Sequence, residues 1–344
     1  MGTKHSLPQS FASYREAVRV ELKKVIDSCP PAVGNILRYH MGWQDEYGHR
    51  CRKESGKLIR SALCLLSCQA VGGNKSQAIP AAAAIELVHN FSLIHDDIED
   101  ASCERHHRPT VWKIWGQCQA INAGDAMFAL AYLALVRLKE KGIAGEKIVD
   151  CTKVLGRACL ELCEGQYLDI EYENRLDITV ENYLDMAAKK TAALFAVSTS
   201  LGACLGGEDR EMVDLFRLFG RELGMVFQIH DDILGIWGDR ESVGKSACDI
   251  CQRKKTLPVA YGLDSSRGAA RKSLGKLYSK ESIEGEDIKE VTKILDDLDA
   301  RNYAENVAQQ YYHKALAHLD ATGLDLPSLA LLKEAAGFLL ARDF

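Results

Sequence analysis

Ile79 to Asp100 reads IPAAAAIELVHNFSLIHDDIED, and Phe227 to Gly235 reads FQIHDDILG. Both stretches carry apolar residues at spacings of three and four and then run into paired aspartates. That spacing marks one face of a helix. Asp96 and Asp100 are four apart, so on a helix they share a face about 6 Å apart along the axis. Asp96, Asp97, Glu99 and Asp100 put four acidic groups into five positions, where they repel one another. An apolar helix running straight into them calls for a compensating cation. Mg2+ takes carboxylate and phosphate oxygens at about 2.0–2.1 Å and keeps several waters. Carboxylates one turn apart therefore suit a metal bridged to a diphosphate. Taken alone, the first stretch reads equally well as a solvated acidic helix end. Asp231 and Asp232 weaken that second reading, because they end a second apolar helix in the same way. Two such helices, facing each other, suit a polyanion clamped through several metals. Asp239 falls two turns beyond Asp231 if the helix continues.

Outward from these two helices the apolar pattern stays helical. Runs cover Leu58 to Val71, Ala120 to Leu138, Ile148 to Ile170, Val180 to Leu205, Met212 to Trp237, and Leu257 onward. Few segments alternate as strands do. Prolines suit boundaries: Pro80 and Pro258 near helix starts, Pro109 in a loop. The most polar stretch, Asp264 to Asp287, reads as a surface loop with a short helix inside. No long linker or short-period repeat interrupts the chain. The expected fold is all-α, one large single-domain helical bundle over residues 1–344 around a central cavity, with residues 1–10 flexible.

Composition narrows the function. The 344 residues are 47% hydrophobic with a net charge of -5, so no basic face for nucleic acid is expected. The N-terminus has no apolar segment of the signal-peptide kind. The longest uncharged stretch, Thr191 to Gly207, is shorter than the ~18 residues of a membrane span and reads as a buried helix. Twelve cysteines, most within helical apolar patterns, read as reduced thiols in a cytoplasmic protein. Cys248 and Cys251 form a single CxxC pair, which lacks the partners of a zinc site.

Basic residues flank the acidic clusters. Gly56-Lys57-Leu58-Ile59-Arg60 opens one helix, Arg105 and Arg108 surround His106-His107, Lys190-Thr191 opens another helix, and Lys245 and Lys254-Lys255 follow the second cluster. Lysine and arginine bind phosphate oxygens directly. Nothing matches GxxxxGKS or GxxxxGKT, so a P-loop nucleotide site is not expected.

In their order, these segments resemble the trans-isoprenyl diphosphate synthases, the family of farnesyl and geranylgeranyl diphosphate synthases. The resemblance runs from Lys57 to Arg342 through GKxxR, HxxxxxHDDxxD, RHHRPT, GQxxD (Gly165 to Asp169), KT at Lys190, FQxxDD, GKxxxD and KxTLP. It implies head-to-tail prenyl transfer between isopentenyl diphosphate and an allylic diphosphate, three Mg2+, and a homodimer without a membrane span. Asp96, Asp100 and Asp231 would hold the metals, with Asp97 and Asp232 in support. Arg105, Lys190 and Lys254 would contact the allylic diphosphate, with Lys245 nearby. Gly56, Lys57, Arg60 and His89 would bind isopentenyl diphosphate. Gln166 and Gln228 would line the reaction centre, and Thr191 would join the substrate contacts.

Departures from the family pattern matter too. His106 stands where an arginine is usual, which implies weaker or pH-dependent binding of isopentenyl diphosphate. Ser61 replaces a proline, Ser55 a glycine, and Gly235 a dispensable aspartate. Phe91 sits five residues before Asp96, at the position where an aromatic limits product length, with small Ser92 beside it. That pattern implies a twenty-carbon, geranylgeranyl product, with farnesyl diphosphate the closest alternative. A class I terpene cyclase would share the metal-triggered ionisation but needs no second diphosphate site, and the retained Gly56, Lys57, Arg60 and His89 argue against it. A non-catalytic partner subunit would not need both aspartate clusters intact.

Overall fold

The computed structural model describes residues 11–51, 56–238, 249–265, 268–324 and 327–341. Fifteen α-helices are described: α1 (Ala12–Asp27), α2 (Pro31–His40), α3 (Ile59–Ala70), α4 (Lys75–Glu99), α5 (Val111–Trp115), α6 (Gln117–Val136), α7 (Gly145–Tyr172), α8 (Val180–Ala187), α9 (Ala193–Gly206), α10 (Arg210–Trp237), α11 (Leu257–Ser265), α12 (Ala269–Tyr278), α13 (Glu286–Asp297), α14 (Ala300–Ala321) and α15 (Pro327–Ala341). The all-α expectation holds. Among the described residues the only sheet is a hairpin of Glu104–Arg105 against Arg108–Pro109.

The two aspartate-bearing helices belong to one packed assembly. Asn74 caps α4 by accepting from the Ser76 amide at 3.0 Å. Ala81 to Ala84 are all fully buried, which lets α3 and α6 come close to α4. Asp209 caps α10 by accepting from the Glu211 amide at 2.9 Å. Helix α10 packs on α9 and α14, and α9 packs in turn on α3. Helix α9 is buried almost throughout, as expected of Thr191 to Gly207. Its hydroxyls are paired within the protein, Ser198 to Leu194 O at 2.6 Å and Thr199 to Phe216 O at 2.6 Å.

Two local expectations are corrected and one is met. Pro80 lies inside α4, beyond its first turn, where it forfeits one backbone bond at the exposed Ser76 carbonyl. Lys190 and Thr191 do not open a helix. They sit in a π-turn, Ala188–Ala192, that joins α8 and α9 into one rod. The stretch Asp264 to Asp287 contains the expected short helix, α12, with the end of α11 before it and the start of α13 after it.

One segment, Gln117–Lys141, is long and apolar enough to cross a membrane by length and composition. It buries Ala120, Ala123, Met127, Ala131 and Ala134, mostly small residues that suit the close packing of α6 along α4. Its other side leaves Ile121, Leu133 and Val136 exposed.

Candidate active site

The end of α4 meets α7, the π-turn and the start of α11 in a cage of opposite charges. Asp96 accepts from Arg105 at 3.2 Å, from Gln166 at 3.4 Å and from Lys190 at 3.4 Å. Asp97 is buried and takes Arg105 through Nε at 2.9 and 3.0 Å. Asp100 is bound by Lys254 at 2.7 Å. Two carboxylates that sequence reasoning left out complete the cage. Asp169 binds Lys190 at 2.6 Å and Lys254 at 3.1 Å, and Glu173 binds Lys254 at 2.9 Å. Their signal was present: Gly165 and Asp169 are four apart on one face of α7, and Glu173, its C-cap, follows at the same spacing.

Local structure explains the geometry. A β-carbon at Gly165 would overlap the Lys190 backbone, so glycine there lets α7 approach the π-turn that carries the lysine. Arg105 is returned to α4 by the hairpin, whose two turn residues, His106 (φ 52°) and His107 (φ 58°), adopt the left-handed conformation such two-residue turns require.

The charges are mutually reinforcing. Burial alone would depress Lys190 and Lys254, but Asp169 with Asp96 or Asp100 raises both above the ordinary lysine value. Burial would raise Asp169, but the two lysines outweigh it and hold its carboxyl below the usual range. Arg105 is likewise raised despite burial, by Asp97 and Asp96.

On α10, Asp231 is half-buried and Asp232 buried. Asp232 accepts from Gln228 at 2.8 Å and from the Leu257 amide at 2.8 Å, so it ties α10 to the first turn of α11. Burial pushes its carboxyl up to about 7. Thr191 donates to Gln228 at 2.5 Å. Thr191, Gln228 and Asp232 thus form a chain of hydrogen bonds from the π-turn to α11, with their polar groups engaged with one another. Lys245, Asp239 and Ser55 lie outside the described residues.

A second, basic cavity adjoins the cage. Gly56, His89, Arg105 and His106 line it, together with His40, Glu86, Asn90 and Arg108. Arg60 approaches His89 at 3.4 Å and lies over the rings of Phe195 and Phe227, with centroids at 4.5 and 5.2 Å. Lys57 stands over Phe338 of α15. His40 pairs with Asn90 at 3.1 Å. Burial, then the charges of Arg60 and Arg105, hold His89 well below the ordinary histidine value, and burial with Arg105 lowers His40 to about 3. Both imidazoles are neutral. His40 comes from the end of α2, remote in sequence, and no spacing rule points to it. Arg105 serves both regions, touching Asp96 and Asp97 while lining the cavity.

Phe91 packs edge-to-face against Phe128 of α6 and His95, with centroids at 5.0 and 5.5 Å. Ser92 lies one turn below Asp96 on its stripe, half-buried, its hydroxyl donating to His89 O at 2.8 Å.

An all-helical bundle thus gathers carboxylates, lysines and an arginine in one cage, beside a separate cavity lined by arginines and histidines. The comparisons with known proteins give the family. The polyprenyl synthetase family model matches residues 43–295. The chain is 33% identical over 345 residues to a (2E,6E)-farnesyl diphosphate synthase of Mycobacterium bovis, covering 99% of this chain and 94% of the relative. It is 36% identical over 299 residues to a geranylgeranyl diphosphate synthase of Mycobacterium tuberculosis, covering 87% and 84%. A polyprenyl synthetase structure from Streptomyces coelicolor A3(2) superposes with a TM-score of 0.87 at 37% identity, covering 95% and 98%. The chain belongs to the polyprenyl synthetase family, and its chemistry is that of a prenyl diphosphate synthase.

Proposed function

We propose that the protein condenses isopentenyl diphosphate with an allylic diphosphate, with Mg2+ at Asp96, Asp100 and Asp231, and that its main product is geranylgeranyl diphosphate. The carrying observation is the pair of anion sites that meet at Arg105.

The donor set fits the metal. In the cage Asp96, Asp97, Asp100, Asp169 and Glu173 outnumber Arg105, Lys190 and Lys254, and carboxylate oxygen is the ligand Mg2+ prefers. Among the described residues no three His, Cys, Asp or Glu converge as a closed metal cage. Mg2+ suits such an open site, because it is commonly held by one or two carboxylates plus substrate phosphates. When bound, it neutralises charge on the leaving diphosphate.

The chain's own residues do the rest. Lys190, Lys254 and Arg105 keep their charge at any working pH and bind the allylic diphosphate as negative charge develops on it. Asp97 holds the Arg105 fork in place. Arg60, Lys57 and His106 bind the second diphosphate and orient its double bond toward the allylic carbon. Carbon–oxygen cleavage leaves an allylic cation, the double bond attacks it, and a proton passes to the departed diphosphate. Walls of packed helix keep water from quenching the cation.

Ser92, rather than Phe91, lies directly below Asp96, so the chain has room to grow past the first turn. Phe91, braced by Phe128, closes the path further along. That bracing also supports farnesyl diphosphate as the second reading. Exposed Leu133 and Val136 on α6, with Val149, Leu160 and Tyr167 on α7, fit the interface of a homodimer. Lys245 and the one-domain arrangement belong to the same reading.

Incubation with Mg2+, dimethylallyl diphosphate and labelled isopentenyl diphosphate, followed by chain-length analysis of the prenols, tests this. A labelled twenty-carbon prenol is expected. A fifteen-carbon product selects the farnesyl reading, and no incorporation of label refutes prenyl transfer. Phe91→Ala should lengthen the product by one or more five-carbon units; an unchanged length removes Phe91 from the tunnel floor.

A further inference from the structure

Far from the cage, three helices bring four cysteines together: Cys64 and Cys68 on α3, Cys151 on α7 and Cys204 on α9. Two independent features fix their relation. Lys147 and Cys151 are four apart on one face of α7, and Lys147 Nζ reaches the Gly207 carbonyl at the end of α9, at 3.2 Å. That face of α7 therefore looks at the last turn of α9, where Cys204 lies three residues before Gly207. Gly165 of α7 meets the Lys190 backbone while Lys147 meets Gly207, so α7 and the rod of the π-turn and α9 run antiparallel in a register that sets Cys151 opposite Cys204, with Lys147 one turn away. Helix α3 closes the other side, since β-carbons at Gly202 and Gly206 would overlap the carbonyls of Cys64 and Cys68.

The four thiols are not equivalent. Cys64, Cys68 and Cys151 are fully buried, while Cys204 is half-buried and so reachable from solvent. The neighbouring Cys151 thiol and the Lys147 charge lower the Cys204 thiol below the ordinary cysteine value, while Cys204 and burial raise Cys151. Burial raises Cys64 and Cys68 as well. Thiolate character with partial access is what makes a cysteine reactive, and a neighbouring thiol is what resolves its oxidised form.

We infer that Cys204 and Cys151 form an oxidation site, in which a peroxide oxidises Cys204 and Cys151 resolves it to a disulfide joining α9 to α7. The Cys204 thiolate attacks a peroxide oxygen, the O–O bond breaks, and, for hydrogen peroxide, one proton is taken up as water leaves and Cys204 becomes a sulfenic acid. The Cys151 sulfur then attacks the Cys204 sulfur, its proton leaves with the hydroxyl as a second water, and two electrons per disulfide have passed to the peroxide. The step stands apart from prenyl transfer, and its readout does not depend on that activity.

The test treats the full-length protein with graded hydrogen peroxide, blocks remaining thiols by alkylation, and reads intact mass and mapped peptides. A loss of two hydrogens and a Cys151–Cys204 cross-linked peptide are expected, with Cys204 reacting about fivefold faster at pH 7 than exposed Cys103, Cys118 and Cys163. Cys204→Ser should abolish the cross-link. Cys151→Ala should leave Cys204 reactive but stopped at the sulfenic acid, trapped as a dimedone adduct. A cross-link that persists in Cys204→Ser, a pairing of Cys204 with Cys64 or Cys68, or Cys204 reacting no faster than Cys118 would each overturn the assignment.

Discussion

The acidic cage and the basic cavity sit side by side and share Arg105, yet they handle charge in opposite ways. In the cage every cation is matched by carboxylates, and its lysines are held more firmly charged than in water. At the cavity, Arg60, which meets its lining residue His89, rests its guanidinium on aromatic faces, and His40 and His89 are held neutral by burial and neighbouring cations. The contrast matches the loads proposed for them. A site that gathers divalent cations with a leaving group needs surplus negative charge. A site that holds a diphosphate without metals needs donors, but must not accumulate so much positive charge that the empty cavity repels itself.

The largest effect should come from the cage. Asp100→Asn removes a carboxylate from the proposed metal-binding stripe and loosens Lys254. The expected loss is about 10^3-fold in kcat, on the scale of a lost transition-state donor, with little change in KM for isopentenyl diphosphate. Steady-state kinetics with each substrate varied separate the two regions; a change confined to the KM of the second substrate would erase the distinction. On the other side, Arg60→Lys loses the planar contact with Phe195 and Phe227. It should raise that KM about tenfold while kcat holds.

A smaller effect sharpens the comparison. His106→Arg supplies a permanent charge at the hairpin turn, so KM for isopentenyl diphosphate should fall about threefold. An unchanged KM would remove His106 from the second diphosphate site. The smallest effect concerns stability. His40 is held at about 3 in the fold against an ordinary value of 6.5. Between these values the unfolded chain binds a proton that the folded chain refuses, so stability falls as pH drops through that window. His40→Gln should therefore lose less of its thermal midpoint than the parent between pH 7 and 4.5. Equal slopes would assign the acid sensitivity to other groups.

Periodicity made the helices and both aspartate clusters legible, because apolar stripes and crowded acids are local patterns. What escaped were relations between distant segments. Asp169 was quoted within a motif, yet a single acid on a long helix does not announce that two lysines will close on it. His40 reaches the cavity from α2 through tertiary packing. The hairpin is two residues wide on each side with His-His at its turn, and carries none of the glycine or asparagine that marks such turns. The π-turn left no trace, since Lys190-Thr191 reads as an ordinary helix start.

That π-turn bears on how the site is encoded. An extra residue in one turn shifts helical phase by about 100°. Upstream, α8 keeps its own seam with α7; downstream, α9 is free to bury itself on α3 and α10; at the discontinuity Lys190 points to the cage while Thr191 turns to Gln228. Removing one residue there would leave composition, charge and helix content almost untouched and yet rotate a whole helix out of step with its neighbours. The position of this charge is a matter of counting as much as of chemistry.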